Sequence, residues 1–193
     1  MTPQRIWLIR HGETEWSLSG QHTGSTDIAL TDVGAERARL LKGHMENHQF
    51  NAVFTSPLQR AQETCRLAGY GEHAQITDDL LEWDYGKYEG KTTVEIQKSV
   101  PGWSLWTHPC PDGETGEEVA TRVQRVIDKA VEIGGDVACF AHGHVLRVMI
   151  ATWLEMKPQA AKYFALGTAS LTILGHEHDY RVLRVLNEQW HLP

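Results

Sequence analysis

The chain has 193 residues, 41% hydrophobic and 22% charged, which is enough for one domain with a full core. Its formal net charge of −7 is unsuited to holding nucleic acid or an acidic membrane, so an anion site must concentrate positive charge locally. No segment approaches a membrane span, Met1-Thr2-Pro3-Gln4-Arg5 carries no signal-peptide pattern, and the three cysteines (Cys65, Cys110 and Cys139) are odd in number and lack metal-ligand spacing. A single domain over 1–193, with reduced thiols and a cytoplasmic location, is predicted.

In chain order, Arg5 to Ile9 reads as a buried strand with an apolar run from Ile6. Thr31 has the place of an N-cap, and the helix after it is expected through Leu40 and Leu41 toward His48. Ala52 to Thr55 is a second strand, with Pro57 in the first turn of a helix reaching Leu67. Ile76 and Thr77 form a short strand, Thr93 to Gln97 a short helix, and Pro101 to Pro111 an irregular loop. Thr115-Gly116-Glu117-Glu118 has capping-box spacing and opens a helix that lasts to Ile133, where Gly134-Gly135 ends it. Asp136 to Phe140 is a strand and Val145 to Leu154 a helix. Ala169 to Leu174 and Arg181 to Leu186 form a hairpin around Gly175 to Asp179. Strands alternating with helices imply an α/β fold with helices on both faces of the sheet.

Two of the strands end alike. The first runs into Arg10-His11-Gly12 and the strand from Asp136 into His142-Gly143-His144. The carboxyl ends of strands are where α/β folds bind ligands, and glycine lets the backbone turn and approach one closely. Imidazole beside a permanent guanidinium suits an anion, phosphate above all, and two such strand ends suggest one site with two facing histidines. Between them lie Ser56-Pro57-Leu58-Gln59-Arg60-Ala61 and Leu81-Glu82-Trp83-Asp84-Tyr85-Gly86.

This order of motifs resembles the histidine phosphatase superfamily, also called the phosphoglycerate mutase-like family, from Ile6 to about Leu186. The run from Thr14 to Asp27, Glu82 to Gly90, and Phe140-Ala141-His142-Gly143-His144 look most like its sedoheptulose-1,7-bisphosphatase branch. The resemblance implies a three-layer αβα sandwich with a mostly parallel central sheet. It also implies a phosphatase that hydrolyses a small phosphomonoester through phosphohistidine, with sugar (bis)phosphates such as sedoheptulose 1,7-bisphosphate or fructose 1,6-bisphosphate as the substrates.

Under that resemblance His11 is the nucleophile, since an imidazole nitrogen can attack phosphorus and split one difficult step into two. Arg10 and Arg60 grip phosphoryl oxygens with their guanidinium forks, and His142 faces His11 and donates to an equatorial oxygen. Glu82, locally one carboxylate in an acidic run with Asp78, Asp79 and Asp84, matches the family pattern Leu-x-Glu-x-x-x-Gly and becomes the general acid. Ser17, His22, Thr23, Gly24 and Gly143 are assigned to the substrate. Phosphoglycerate mutases commonly carry Asn where Ser17 stands, and a hydroxyl there can still donate. Tyr85 either contacts the substrate or is a structural aromatic, Trp103 and Trp106 are packing residues or substrate contacts, and His144 supports the site or caps a helix.

The histidine pairs His142-x-His144 and His176-x-His178 lack the converging third ligand that zinc needs, so no metal and no cofactor is expected. Three function classes remain: a phosphatase, a mutase that returns the phosphoryl group to its product, and a binding module on a degenerate scaffold. The α-ribazole and broad-range phosphatases are further phosphatase readings. Cofactor-dependent mutases of this family carry Arg-His-Tyr after the acid, an Arg-Arg pair and a covering C-terminal tail. Here Trp83-Asp84-Tyr85 follows Glu82 and no Arg-Arg pair occurs, which favours the phosphatase. The partner is a small phosphorylated molecule, and oligomeric state is left open.

Overall fold

A computed structural model describes residues 4–45, 48–190 and 192. Six strands form one sheet in the order β3-β2-β4-β1-β5-β6. They are β1 (Arg5–Arg10), β2 (Ala52–Thr55), β3 (Ala74–Ile76), β4 (Asp136–Ala141), β5 (Leu171–Glu177) and β6 (Tyr180–Glu188). The pairings β1–β4, β2–β4 and β2–β3 are parallel; β5 runs antiparallel to β1, and β6 to β5.

The α-helices among the described residues are α1 (Glu15–Ser19), α2 (Asp32–Met45), α3 (Gln59–Leu67), α4 (Thr93–Ser99), α5 (Gly116–Ile133) and α6 (Gly143–Trp153). Alternation along the central strands divides the core into two layers. Ile6 and Leu8 of β1 join Val137 and Cys139 of β4 on the face covered by α5 and α6. Trp7 and Ile9 join Ala138 and Phe140 on the face where Leu41 and Met45 of α2 and Cys65 of α3 pack. The mostly parallel three-layer αβα architecture of the phosphoglycerate mutase-like fold is therefore present. All three thiols are free and buried, and burial pushes Cys65 and Cys139 up to about 12.

Several boundaries move. Helix α1 was not anticipated: its five residues are too few to show a period, and Thr14 closes its cap with Ser17 rather than with the usual Glu or Gln. Pro57 lies before α3, not in its first turn. Leu58 is the N-cap, and Asp27 supplies a carboxylate oxygen to the Gln59 N–H at 2.8 Å. Thr31 does cap α2 through the Gly34 N–H at 3.0 Å. That helix stops at Met45; residues 46 and 47 lie outside the described residues, and His48 is not helical. β3 lies at 74–76 rather than at Ile76 and Thr77, and α4 extends to Ser99. α6 begins at Gly143, two residues early, and ends at Trp153. The hairpin turn shrinks to His178 and Asp179, because Gly175, His176 and Glu177 continue the ladder opposite Val182, Arg181 and Tyr180. No described helix is long and apolar enough to cross a membrane.

The loop leaving β1 passes very close to α2. A Cβ on Gly12 would lie 2.5 Å from the Gly34 carbonyl oxygen, and one on Gly34 would lie 2.2 Å from that of Glu13. This contact between two glycines fixes the direction in which the chain leaves His11.

Candidate active site

Strand register assembles the site. Arg10 pairs with Ala141 across β1 and β4, and the His11 N–H donates to the Ala141 carbonyl at 2.9 Å. His11 and His142, 131 positions apart in sequence, therefore leave the sheet side by side, with ring centroids 5.2 Å apart. A cavity of about 260 Å³ opens over them, lined by Arg10, His11, Ser17, His22, Thr23, Glu82, Tyr85, Gly143, His144 and Arg147 among others.

The His11 ring is held in one tautomer. Its Nδ1 lies 2.6 Å from the Gly12 carbonyl, which can only accept, so Nδ1 carries the proton and Nε2 the lone pair. Burial, then the charges of Arg10 and Arg60, hold the imidazole well below its ordinary 6.5. The neutral, nucleophilic form therefore persists into mildly acidic solution. For turnover that depends on this form, the acid limb of kcat/KM, corrected for ionisation of the ester, is expected to have its midpoint below pH 6.5. A midpoint at or above that value in a pH profile would contradict the assignment.

His142 holds the opposite tautomer. Arg60 Nε donates to its Nδ1 at 3.0 Å, which leaves the proton on Nε2, 2.7 Å from Ser56 Oγ. Burial lowers it strongly as well, followed by Arg60, His11 and Arg10. Arg60 is 0% exposed and does not line the cavity. Its remaining contacts go to the carbonyls of Thr23, Gly24 and Thr26, at 2.9–3.1 Å. Neither Arg60 nor His142 lines the open cavity, and both are fully buried. Arg10 is different: Nη1 donates to the Leu166 carbonyl at 2.5 Å, while its buried Nε has no hydrogen-bond partner among the described residues. A Cβ on Gly143 would stand 3.3 Å from that Nε, so glycine lets the start of α6 pack close against the guanidinium.

Glu82 is 8% exposed and meets the N-terminus of α6. Its Oε1 accepts the Val145 and Trp83 N–H groups at 2.8 and 2.9 Å, and its Oε2 accepts the His144 N–H at 2.9 Å. These donors fix the carboxyl on the cavity wall. Behind it, Arg122 donates to the carbonyls of Asp79, Leu81 and Glu82 and to the Glu114 carboxylate, which ties this loop to α5.

The substrate residues expected from sequence divide. His22, Thr23, Tyr85 and Gly143 line the cavity. Ser17 lines it too, but its hydroxyl donates to the Thr14 carbonyl and accepts the Thr14 N–H, so its single proton is spent within the cap. Gly24 does not line the cavity. The Glu89 carboxylate takes its N–H, and a Cβ there would lie 2.7 Å from Glu89 Oε2 and from the Trp83 carbonyl oxygen, so its glycine serves packing. Trp103 is buried against His22, whereas Trp106 stands against His144.

Arg147 was missed. It lies four residues after Gly143 on the same face of α6, a spacing that could have found it. It lines the cavity, stacks over Trp106 at 4.5 Å, and is anchored at the carbonyls of Ala161 and Lys162. Among the described residues no group of three or more His, Cys, Asp or Glu could hold a metal ion.

A cavity lined by a strand-end histidine, two arginines and a carboxyl suits phosphoryl transfer. The profile of the histidine phosphatase superfamily (branch 1) matches residues 6–189. The acid phosphatase of Mycobacterium tuberculosis is 42% identical over 97% of this chain and 94% of its own. The sedoheptulose 1,7-bisphosphatase of Saccharomyces cerevisiae is 36% identical over 82% of this chain and 70% of its own. A solved structure of an open reading frame product of M. tuberculosis superposes with a TM-score of 0.90 at 40% identity, over 95% of this chain and 97% of that one. The chain belongs to branch 1 of the histidine phosphatase superfamily and is a phosphoric monoester hydrolase.

Proposed function

We propose that the protein hydrolyses small sugar phosphates, bisphosphates such as sedoheptulose 1,7-bisphosphate and fructose 1,6-bisphosphate in particular, through a phosphohistidine on His11. The observation that carries the substrate class is the presence of Arg10 and Arg147 in the wall of one cavity. The first guanidinium serves the phosphoryl group that is transferred, and the second balances another anion on the same substrate. The yeast relative named a sedoheptulose 1,7-bisphosphatase supports the same class.

The chemistry runs in two halves. His11 Nε2 attacks phosphorus as the ester P–O bond breaks, and Glu82 gives a proton to the leaving alkoxide. Water then attacks the phosphohistidine, Glu82 takes its proton, and phosphate and neutral His11 are released. Arg60 and His142 are the phosphate-binding residues of this reading, a role in which they exchange their present hydrogen bonds to Ser56 and to the carbonyls of residues 23–26 for the transferred oxygens. His22 and Thr23 face the organic part, with the Tyr85 ring in the wall beside them and its hydroxyl turned to His144.

The test is phosphate release from a panel of esters by the unaltered protein and by Arg147→Gln. The variant is expected to lose about 10- to 100-fold in kcat/KM on fructose 1,6-bisphosphate, as for a hydrogen bond to a charged group, and far less on a sugar monophosphate. Equal losses on both would remove the second-anion assignment.

A further inference from the structure

His144 occupies a position that neither half of the chemistry uses. Its backbone N–H is taken by Glu82, while its ring lines the cavity. The ring Nδ1 lies 2.6 Å from the hydroxyl of Tyr85, a side chain only 1% exposed. That hydroxyl meets no other hydrogen-bond partner among the described residues. If the imidazole donated to the phenol, the phenolic proton would be buried without an acceptor, which is costly. Tyr85 therefore donates, Nδ1 accepts, and the imidazole proton sits on Nε2. The ring is held from its sides by Trp106, at 5.2 Å between centroids, and by His22, at 6.0 Å. Burial, followed by the charge of Arg147, keeps it neutral.

We propose that His144 reads hydroxyl groups on the organic part of the substrate, with Tyr85 as the positioning residue that fixes Nε2–H as its donor. The proposal rests on the phosphatase reading and deepens it: the favoured substrates are phosphate esters of polyols, whose oxygens accept this hydrogen bond, rather than of plain alkyl alcohols. The tautomer is the reverse of that in His11, where a carbonyl acceptor reserves Nε2 for attack. Two histidines in one cavity thus differ in role because their second nitrogens meet a carbonyl in one case and a phenol in the other.

The test compares sorbitol 6-phosphate with hexyl phosphate, which share a six-carbon chain and an alkoxide leaving group but differ in hydroxyls. In the unaltered protein the polyol ester is expected to have the higher kcat/KM. In His144→Leu the ratio of the two is expected to fall roughly tenfold, carried mainly by KM, with partial recovery in His144→Gln, whose amide restores an N–H. Nitrogen-15 chemical shifts of the histidine rings in the unaltered protein are expected to show His144 protonated on Nε2, with Tyr85→Phe losing that preference. A ratio that stays fixed in His144→Leu, or a proton on Nδ1, overturns the proposal while leaving the phosphatase reading intact. No phosphate release from either ester or from 4-nitrophenyl phosphate by the unaltered protein overturns both.

Discussion

His11→Ala is expected to lower kcat/KM on every phosphomonoester by roughly 10⁴-fold or more, the scale seen when a covalent nucleophile is removed. The size follows from what is lost. The Gly12 carbonyl and the surrounding burial keep a neutral imidazole with its lone pair on Nε2. His142 cannot substitute, because its Nδ1 is occupied by Arg60 and its Nε2 carries the proton toward Ser56. Acid-stable or base-stable labelling distinguishes the intermediate: a phosphohistidine survives alkali and is lost in acid. Rapid quench with a labelled ester should therefore trap label in the unaltered protein and none in His11→Ala. The same assays in excess EDTA are expected to run undiminished. Retained turnover in His11→Ala would remove it as nucleophile, and full loss in EDTA restored by one divalent ion would overturn metal-free catalysis.

The strands that carry this site were legible because they are short, β-branched and apolar on both faces, and each ends in His-Gly. What the sequence could not give is the register. Arg10 opposite Ala141 is a parallel pairing across more than a hundred residues, and only it makes the two imidazoles neighbours. The facing histidines were expected from the two strand ends that run into His-Gly, and the pairing supplies the physical reason. Arg60 and Gly24 illustrate the opposite limit. Arg60 was assigned to the phosphate and Gly24 to the substrate; in the fold Arg60 donates to the carbonyls of residues 23–26, and the Gly24 N–H is taken by Glu89. Such contacts join positions 34 to 65 residues apart, so no local spacing announces them. Ser17 shows the same limit at short range. Its hydroxyl was free to donate on paper, but a five-residue helix needed it for a cap.

Glu82 was the residue least visible locally, and it gives the sharpest separation of roles. In an acidic run it reads as a surface carboxylate; in the fold its oxygens meet the first N–H groups of α6, which begins 61 residues later. This seat bears on the two-step role proposed for Glu82. In the proposed mechanism, the carboxylate left after proton donation to the alkoxide is received by the His144, Val145 and Trp83 N–H groups. It is then ready to accept a proton from water. Glu82→Gln keeps the shape but removes the proton, and its amide N–H2 must also face those N–H donors. The variant is expected to lose roughly 10²- to 10⁴-fold in kcat on sugar phosphates, whose alkoxides depart poorly without help. On 4-nitrophenyl phosphate the first half-reaction needs no proton, so a burst of nitrophenolate is expected before slow turnover, as water attack becomes limiting. The burst amplitude matters more than the steady rate, because it isolates phosphoryl transfer to His11 from the second step. A burst as slow as the sugar reaction would mean that Glu82 positions the cavity wall and donates no proton. Unchanged turnover of sugar phosphates would remove Glu82 from the mechanism altogether and make Asp84, two residues on, the carboxyl to examine.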